Sequence, residues 1–595
     1  MRKLELTNMA LLFYILLTLL SVKAFANSFV DSGISTKTLP RNARLEVLAT
    51  KGKLTNELIE AFYEYEEKRL RDRTNTPKEL WNWLKDNKVL YRGLLCGIHP
   101  DYSSDVEKCL VMLREEYGDR LEDYSHLALA FAFVYGRAGQ GTIRAPWMDW
   151  VSKGRDVPEI KDSFGYYLEH EGSMIFPINK TPWPLLVFVA DNDIPLSERK
   201  WVLSYYKNRP LESIKSLWGD VPRVKGAGAL KMAKGPGTPM ALPVLHVEGG
   251  VCSQQAYYSS RVLKNLGVPC IRLTGRRHAW EAWVLYDPPF KTYYHASVGN
   301  KDGSIFWPIT RETVRQNEFD ILVASMNRSY ESYLDALIAT HVFSLLPDDL
   351  KPKAVGLLMD AIHRNPYCCE PWRELAQACS QGVLSSSAGQ EIYQKALRLL
   401  SEFPAFTCEL FETIIRRDLS ADTNITDVTI QNNVKIFERE IRRYNLSDRP
   451  DLAVRLTNNI GSYINSTKGP EQTLQLYSKW LAPIDHDWWY TDMLRHATSL
   501  VENKVGRDTL ISFLEREYVS IPGKRNKKYM KDRGQISGGY SLVVKHLTRQ
   551  LRAAGRKDEA AQIQNNFTAY TKGIEQAQAK TKTTTRRKRT ARTRK

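Results

Sequence analysis

The sequence predicts an α+β protein: a mainly helical N-terminal region, a small α+β core and a C-terminal α-helical array. Three observations carry this. Apolar residues recur at helical spacing from about Thr55 to Tyr206 and again past residue 323. Between His246 and Trp307 the pattern changes to one helix followed by short alternating strands. With 43% hydrophobic and 10% aromatic residues, a chain of 595 residues can bury real cores, which excludes wholesale disorder. At roughly 100 to 200 residues per domain several domains are expected. The expected divisions are a leader over 1–26, a helical region over 27–215, the core over 216–322, a repeat-like helical region over 323–570 and a disordered basic tail over 571–595.

The leader is read first because it changes the setting. Arg2 and Lys3 precede an apolar run from Met9 to Val22, and Ala24-Phe25-Ala26 matches a small-residue cleavage site. This is the pattern of a secretory signal peptide, with an uncleaved anchor as the alternative, and either one exports the body of the chain to a periplasmic, secreted or envelope-associated setting. No later segment reaches eighteen apolar residues; Leu127 to Tyr135 reads as a buried helix.

In the N-terminal region Leu58, Phe62 and Tyr65 share one helix face, Thr76-Pro77 reads as an N-cap followed by Pro at the first helical position, and Ser197 opens a helix carrying Trp201, Leu203 and Tyr205. From Gly226 to Gly250 the glycines and prolines predict a loop. It lacks the strand-Gly-helix spacing of a phosphate cradle.

Eight cysteines in a chain this large are too sparse for a disulfide framework, although Cys96 and Cys109 could pair. The sequence has no C-x-x-C and no H-E-x-x-H, so neither a metal nor a cofactor is expected.

Gly249-Gly250-Val251-Cys252 leads into an apolar helical pattern that ends at Gly267. A cysteine in the first helical turn faces unpaired N–H groups and the positive end of the helix dipole, which favour the thiolate. Val268 to Leu273 then reads as a strand, Gly275-Arg276-Arg277 as a turn, His278 to Tyr286 as a long strand, and Asp287-Pro288-Pro289-Phe290 as a turn into Lys291 to Val298. A thiol at a helix start and an imidazole on a following strand form a nucleophile–base pair, provided that sulfur and ring come within about 4 Å on one side of the sheet.

These residues resemble the transglutaminase-like superfamily, related in fold to papain-type cysteine proteases. The resemblance rests on Gly250-x-Cys252 with Ala256, on Leu266-Gly267-Val268-Pro269, and on His278-Ala279-Trp280, about a tenth of the chain. It implies Cys252 as nucleophile, His278 as general base, an acyl-enzyme, and a protein or peptide amide as substrate. The family's Asp on the next strand is replaced by Ser297; a four-residue turn gives pairs summing to 577, which sets Ser297 opposite Trp280. Asn300 and Asp302 are the alternative orienters of His278. The competing expectation is a degenerate, non-catalytic scaffold.

Ala354, Leu358, Ala361, Pro366, Trp372, Leu375, Ala376 and Cys379 follow the spacing of one tetratricopeptide junction, and the period then lapses at Ser385-Ser386-Ser387. Stacked helix pairs are expected from about 330 to 570, as a surface that could hold an envelope partner. The net charge is +18, and ten Lys or Arg fall between Lys572 and Lys595 against Glu575 alone. That tail suits an envelope polymer or another anionic surface, and its lack of aromatics argues against base stacking and specific nucleic-acid binding.

Overall fold

In the computed structural model the described residues are 39–74, 78–97, 105–138, 157–207, 209, 217–224, 241–275, 278–285, 289–294, 303–420, 427–446, 449–482, 484, 487–524 and 538–592. The expected leader and the Thr76-Pro77 cap lie outside them. Among them are 25 α-helices and one five-stranded antiparallel sheet, a helix-rich α+β architecture. The chain divides into two units, 1–415 and 416–595. The divisions expected near 215 and 322 both fall inside the first.

Unit 1 opens with α1 (Arg41–Ala49), α2 (Asn56–Thr74), α3 (Lys78–Asp86), α4 (Lys88–Gly97), α5 (Val106–Tyr117), α6 (Arg120–Asp123) and α7 (Ser125–Ala138). Leu127 to Tyr135 are all buried in α7, as the apolar run predicts. Around it pack α5 and α9 (Trp183–Ala190), with α8 (Ile160–Glu169) beside them; every residue of α9 is buried. The helix expected at Ser197 is α10 (Leu196–Tyr206).

The loop expected up to Gly250 contains a helix, α11 (Leu242–Glu248). Pro243 fits the first turn, where no N–H is needed, Leu242 and Leu245 bury three residues apart, and Gly249 at φ 82° ends it. Local stop signals outweighed a Gly/Pro-rich composition.

Then come α12 (Cys252–Asn265), β1 (Cys270–Gly275), β2 (His278–Leu285), β3 (Lys291–Tyr294), β4 (Ser304–Phe306) and β5 (Thr313–Arg315), in sheet order β3-β2-β1-β4-β5. The β2–β3 pairs, Ala282 with Tyr294 and Trp283 with Tyr293, sum to 576, one residue from the expected register. The cause is visible at Phe290: its N–H donates to Asn327 Oδ1 (2.7 Å) and its carbonyl accepts from Asn327 Nδ2 (2.8 Å). Asn327, on α13 (Gln316–Arg328), so takes Phe290 out of the ladder and lengthens the connection, and a one-residue slip exchanges the faces of β3.

The rest of unit 1 is α14 (Tyr330–Leu345), α15 (Lys351–Arg364), α16 (Cys369–Ser380), α17 (Ser386–Leu399) and α18 (Pro404–Ser420), the last crossing into unit 2. Ala354, Leu358, Ala361, Trp372, Leu375, Ala376 and Cys379 bury at the junction of α15 and α16, and Trp372 Nε1 donates to the Pro366 carbonyl at 2.9 Å. The serine run is a turn and cap, since the Ser385 hydroxyl accepts from the Ala388 N–H. Unit 2 continues as α19 (Asp427–Leu446), α20 (Pro450–Thr467), α21 (Pro470–Leu481), α22 (Asp487–Val501), α23 (Arg507–Lys524), α24 (Gly538–Ala553) and α25 (Lys557–Arg592), packed neighbour on neighbour.

The tail expected to lack structure continues α25 as helix to Arg592. Past Gly573 the Ala, Gln, Lys and Arg content has good helix propensity, and the positive charges sit at the negative end of the helix dipole.

Candidate functional site

Cys252 is the first residue of α12, with Val251 extended before it. Four contacts pin this start. Gly250 N–H donates to the Pro222 carbonyl (2.8 Å), Val224 N–H to the Gly250 carbonyl (3.1 Å), Val251 N–H to Gln254 Oε1 (2.9 Å), and Gln255 Nε2 to the Val221 carbonyl (3.0 Å). A Cβ at Gly249 would stand 2.1 Å from the Pro222 oxygen, so glycine is required there for close backbone approach as well as for its positive φ. All eight cysteines are free, including Cys96 and Cys109, so that pairing is not formed. Seven are buried; Cys252 alone is partly exposed.

The helix lies on β1 and β2. Buried Glu281 lies near Ser259 of the helix, and burial pushes its carboxyl well above the ordinary range. Arg272, paired with Glu281 across β1 and β2, faces the same helix. Burial and the nearby Arg261 lower its guanidinium to about 10, against the opposing influence of Cys252 and Tyr257. Strand alternation missed these two because it treats charged residues in a strand as solvent-facing; in an otherwise apolar pair of strands they were the signal of a buried polar layer.

His278 begins β2, opposite Gly275. Its side chain lies outside the described residues, as do Ser297, Asn300 and Asp302. Cys252 heads α12 and His278 heads β2, one of the two strands on which α12 packs. On β2 Trp280 lies against Gly303, where a Cβ would stand 2.8 Å from Trp280 Cζ2, and Glu281 faces the other side of the sheet.

Beside α12 runs a hydrogen-bonded chain that sequence inspection did not find. His246 lies between Tyr258 Oη (Nδ1, 2.9 Å) and Tyr205 Oη (Nε2, 3.0 Å); the Tyr258 and Tyr206 hydroxyls are 2.6 Å apart, and Tyr206 donates to Asp220 (2.8 Å), which also pairs with Arg209 (3.0 Å). Burial lowers the His246 imidazole and raises both phenols. Tyr258 and Tyr206 are fully buried, so the chain anchors α12 to α10 and α11.

Among the described residues no group of three or more His, Cys, Asp or Glu could hold a metal ion, and no helix is long and apolar enough to cross a membrane. No family model, curated protein or solved structure matches the chain.

Proposed function

We propose that this is an exported thiol enzyme with a transglutaminase-like core, acting on protein or peptide amides by hydrolysis, deamidation or acyl transfer. Cys252 would attack the carbonyl, His278 would take the thiol proton and return it to the leaving amine, and the acyl-enzyme would pass to water or to an amine. The observation that carries the proposal is the placement of Cys252: the partly exposed cysteine of the eight, held at the first residue of a buried helix that packs on β1 and β2. The motif residues Gly250, Cys252, His278 and Trp280 support it.

A second reading has its own observation. The family's Asp is replaced by Ser297, which lacks the charge that stabilises an imidazolium, and this favours a non-catalytic scaffold whose helical regions hold an envelope partner. Alkylation with iodoacetamide across pH separates the two. For the enzyme, Cys252 reacts at least about tenfold faster than a free thiol near neutral pH, and His278→Ala abolishes the advantage. A Cys252 rate equal to that of free cysteine, unchanged in His278→Ala, would establish the scaffold.

A further inference from the structure

We propose that unit 1 holds a second site, independent of Cys252, which binds a small organic cation, an ammonium or guanidinium carried on an apolar body. The site is a cavity of about 480 Å³ between the β4–β5 hairpin and helices α13, α14, α16 and α18, and Cys252 is not among the residues that line it.

Its polar end has a charge imbalance. Arg373 binds Glu318 through Nη2 (2.8 Å) and Glu409 through Nε (3.1 Å), and Glu370 lines the same space, accepting only a thiol hydrogen bond from Cys368 (3.0 Å) among the side-chain contacts described. Three carboxylates therefore share one guanidinium. Glu312 and Arg315 also line the cavity, one charge of each sign. Glu318 shows the strain: burial pushes its carboxyl up and the Glu409 charge adds to this, while Arg373 pulls it down. A second cation would relieve the excess, and in a chain with a net charge of +18 such an acidic pocket is locally selective for one.

The other walls suit the body of such a ligand. Trp307, Tyr333, Tyr367 and Leu337 present apolar and aromatic surface, and ring faces attract cations. Thr310, on the same wall, has a buried hydroxyl oxygen with no hydrogen-bond partner among the described residues, an acceptor for an N–H. An aromatic wall excludes a bare metal ion as the natural occupant, and the carboxylates exclude an anion. Aromatic and aliphatic walls around convergent polar groups are the usual form of a small-molecule site.

The test uses three probes of one shape on the full-length protein: 2-phenylethylammonium, neutral 2-phenylethanol and anionic 3-phenylpropionate, followed by calorimetry. The cation should bind at millimolar concentration or better, with the alcohol weaker by about tenfold and the anion silent. Glu370→Gln should weaken the cation by a similar factor and leave the alcohol unchanged, since it removes charge but keeps shape. Equal binding of cation and alcohol, or no heat from the cation up to about 10 mM, would overturn the proposal. The comparison of probes on the unaltered protein decides the matter even where Glu370→Gln does not fold, and Cys252→Ala should leave all three results untouched.

Discussion

Two helices of similar length, α12 in unit 1 and α20 in unit 2, are built on opposite plans. The buried residues of α20 are almost all apolar, Leu452, Leu456, Ile460, Tyr463 and Ile464 among them, and form the stripe that amphipathic patterning predicts. In α12 every residue from Gln254 to Asn265 is buried, and seven of those twelve are polar or charged. Helices enclosed on all sides are ordinarily apolar all round. Here each polar group has been given its own partner: Arg261 Nε meets Asp193 (2.6 Å), Lys264 meets Asp191 (2.9 Å), and Asn265 accepts from Asn192 (2.9 Å). Paired burial of this kind adds little net stability but makes displacement costly. The stripe of α20 tolerates small shifts; α12 has one position, and Cys252 at its end has one as well.

The largest effect should come from breaking that clamp. Asp193→Ala leaves the Arg261 guanidinium buried without its carboxylate and should cost about 3–5 kcal/mol in chemical denaturation. Lys479→Ala in unit 2 breaks a pair of similar length (Lys479 Nζ to Glu438, 2.6 Å), but one whose lysine is largely exposed, and should cost about 0–1 kcal/mol. Replacing both clamp partners, Asp193→Leu with Arg261→Met, should cost less than Asp193→Ala alone. Equal losses at Asp193 and Lys479 would show that α12 is held by apolar contacts like any other helix.

How much of this was readable in the sequence follows from where the partners lie. The start of α12 at Cys252, the β1–β2 hairpin and the buried α7 were legible because their signals are local: a glycine pair, the Gly275-Arg276-Arg277 turn signal, an unbroken apolar run. Asp191 and Asp193 are 73 and 68 residues from their cations, with no local pattern to join them. The register of β3 depended on Asn327, 37 residues beyond Phe290. The two charged residues beneath α12, Arg272 and Glu281, contradict the expectation that charge in a strand faces water, and so hid the face on which the helix packs.

A middle-sized effect distinguishes the anchoring of β3 from that of α12. Asp320, on α13, accepts from the Tyr294 hydroxyl of β3, and burial raises its carboxyl to about 6. Because the folded value lies above the unfolded one, the stabilisation from holding the proton is complete below about pH 4 and is lost as pH rises through 6. The span corresponds to about 3 kcal/mol at most. Asp320→Asn keeps an acceptor for Tyr294 without the charge, so it should be more stable than the parent at pH 7 and not at pH 4. A difference independent of pH would assign the effect to packing rather than to ionisation.

The smallest expected effect lies at the end of α25. Phe567 and Tyr570 pack on Tyr540 of α24, and these contacts survive a deletion after Tyr570. The 25 residues removed hold ten of the chain's positive charges and, apart from Ile574, only small or polar side chains. Thermal stability should therefore change by no more than about 0.5 kcal/mol. Far-ultraviolet circular dichroism should nevertheless lose the helical signal of residues 571–592, whereas a tail without structure would take no helical signal with it. Binding supplies the second contrast. Full-length protein should co-sediment with anionic vesicles at low ionic strength and release them as the Debye length falls from about 10 Å at 0.1 M to about 3 Å at 1 M salt, while the truncated form should bind weakly throughout. Identical binding by both forms, or binding that ignores salt, would make the basic helix a solvated end.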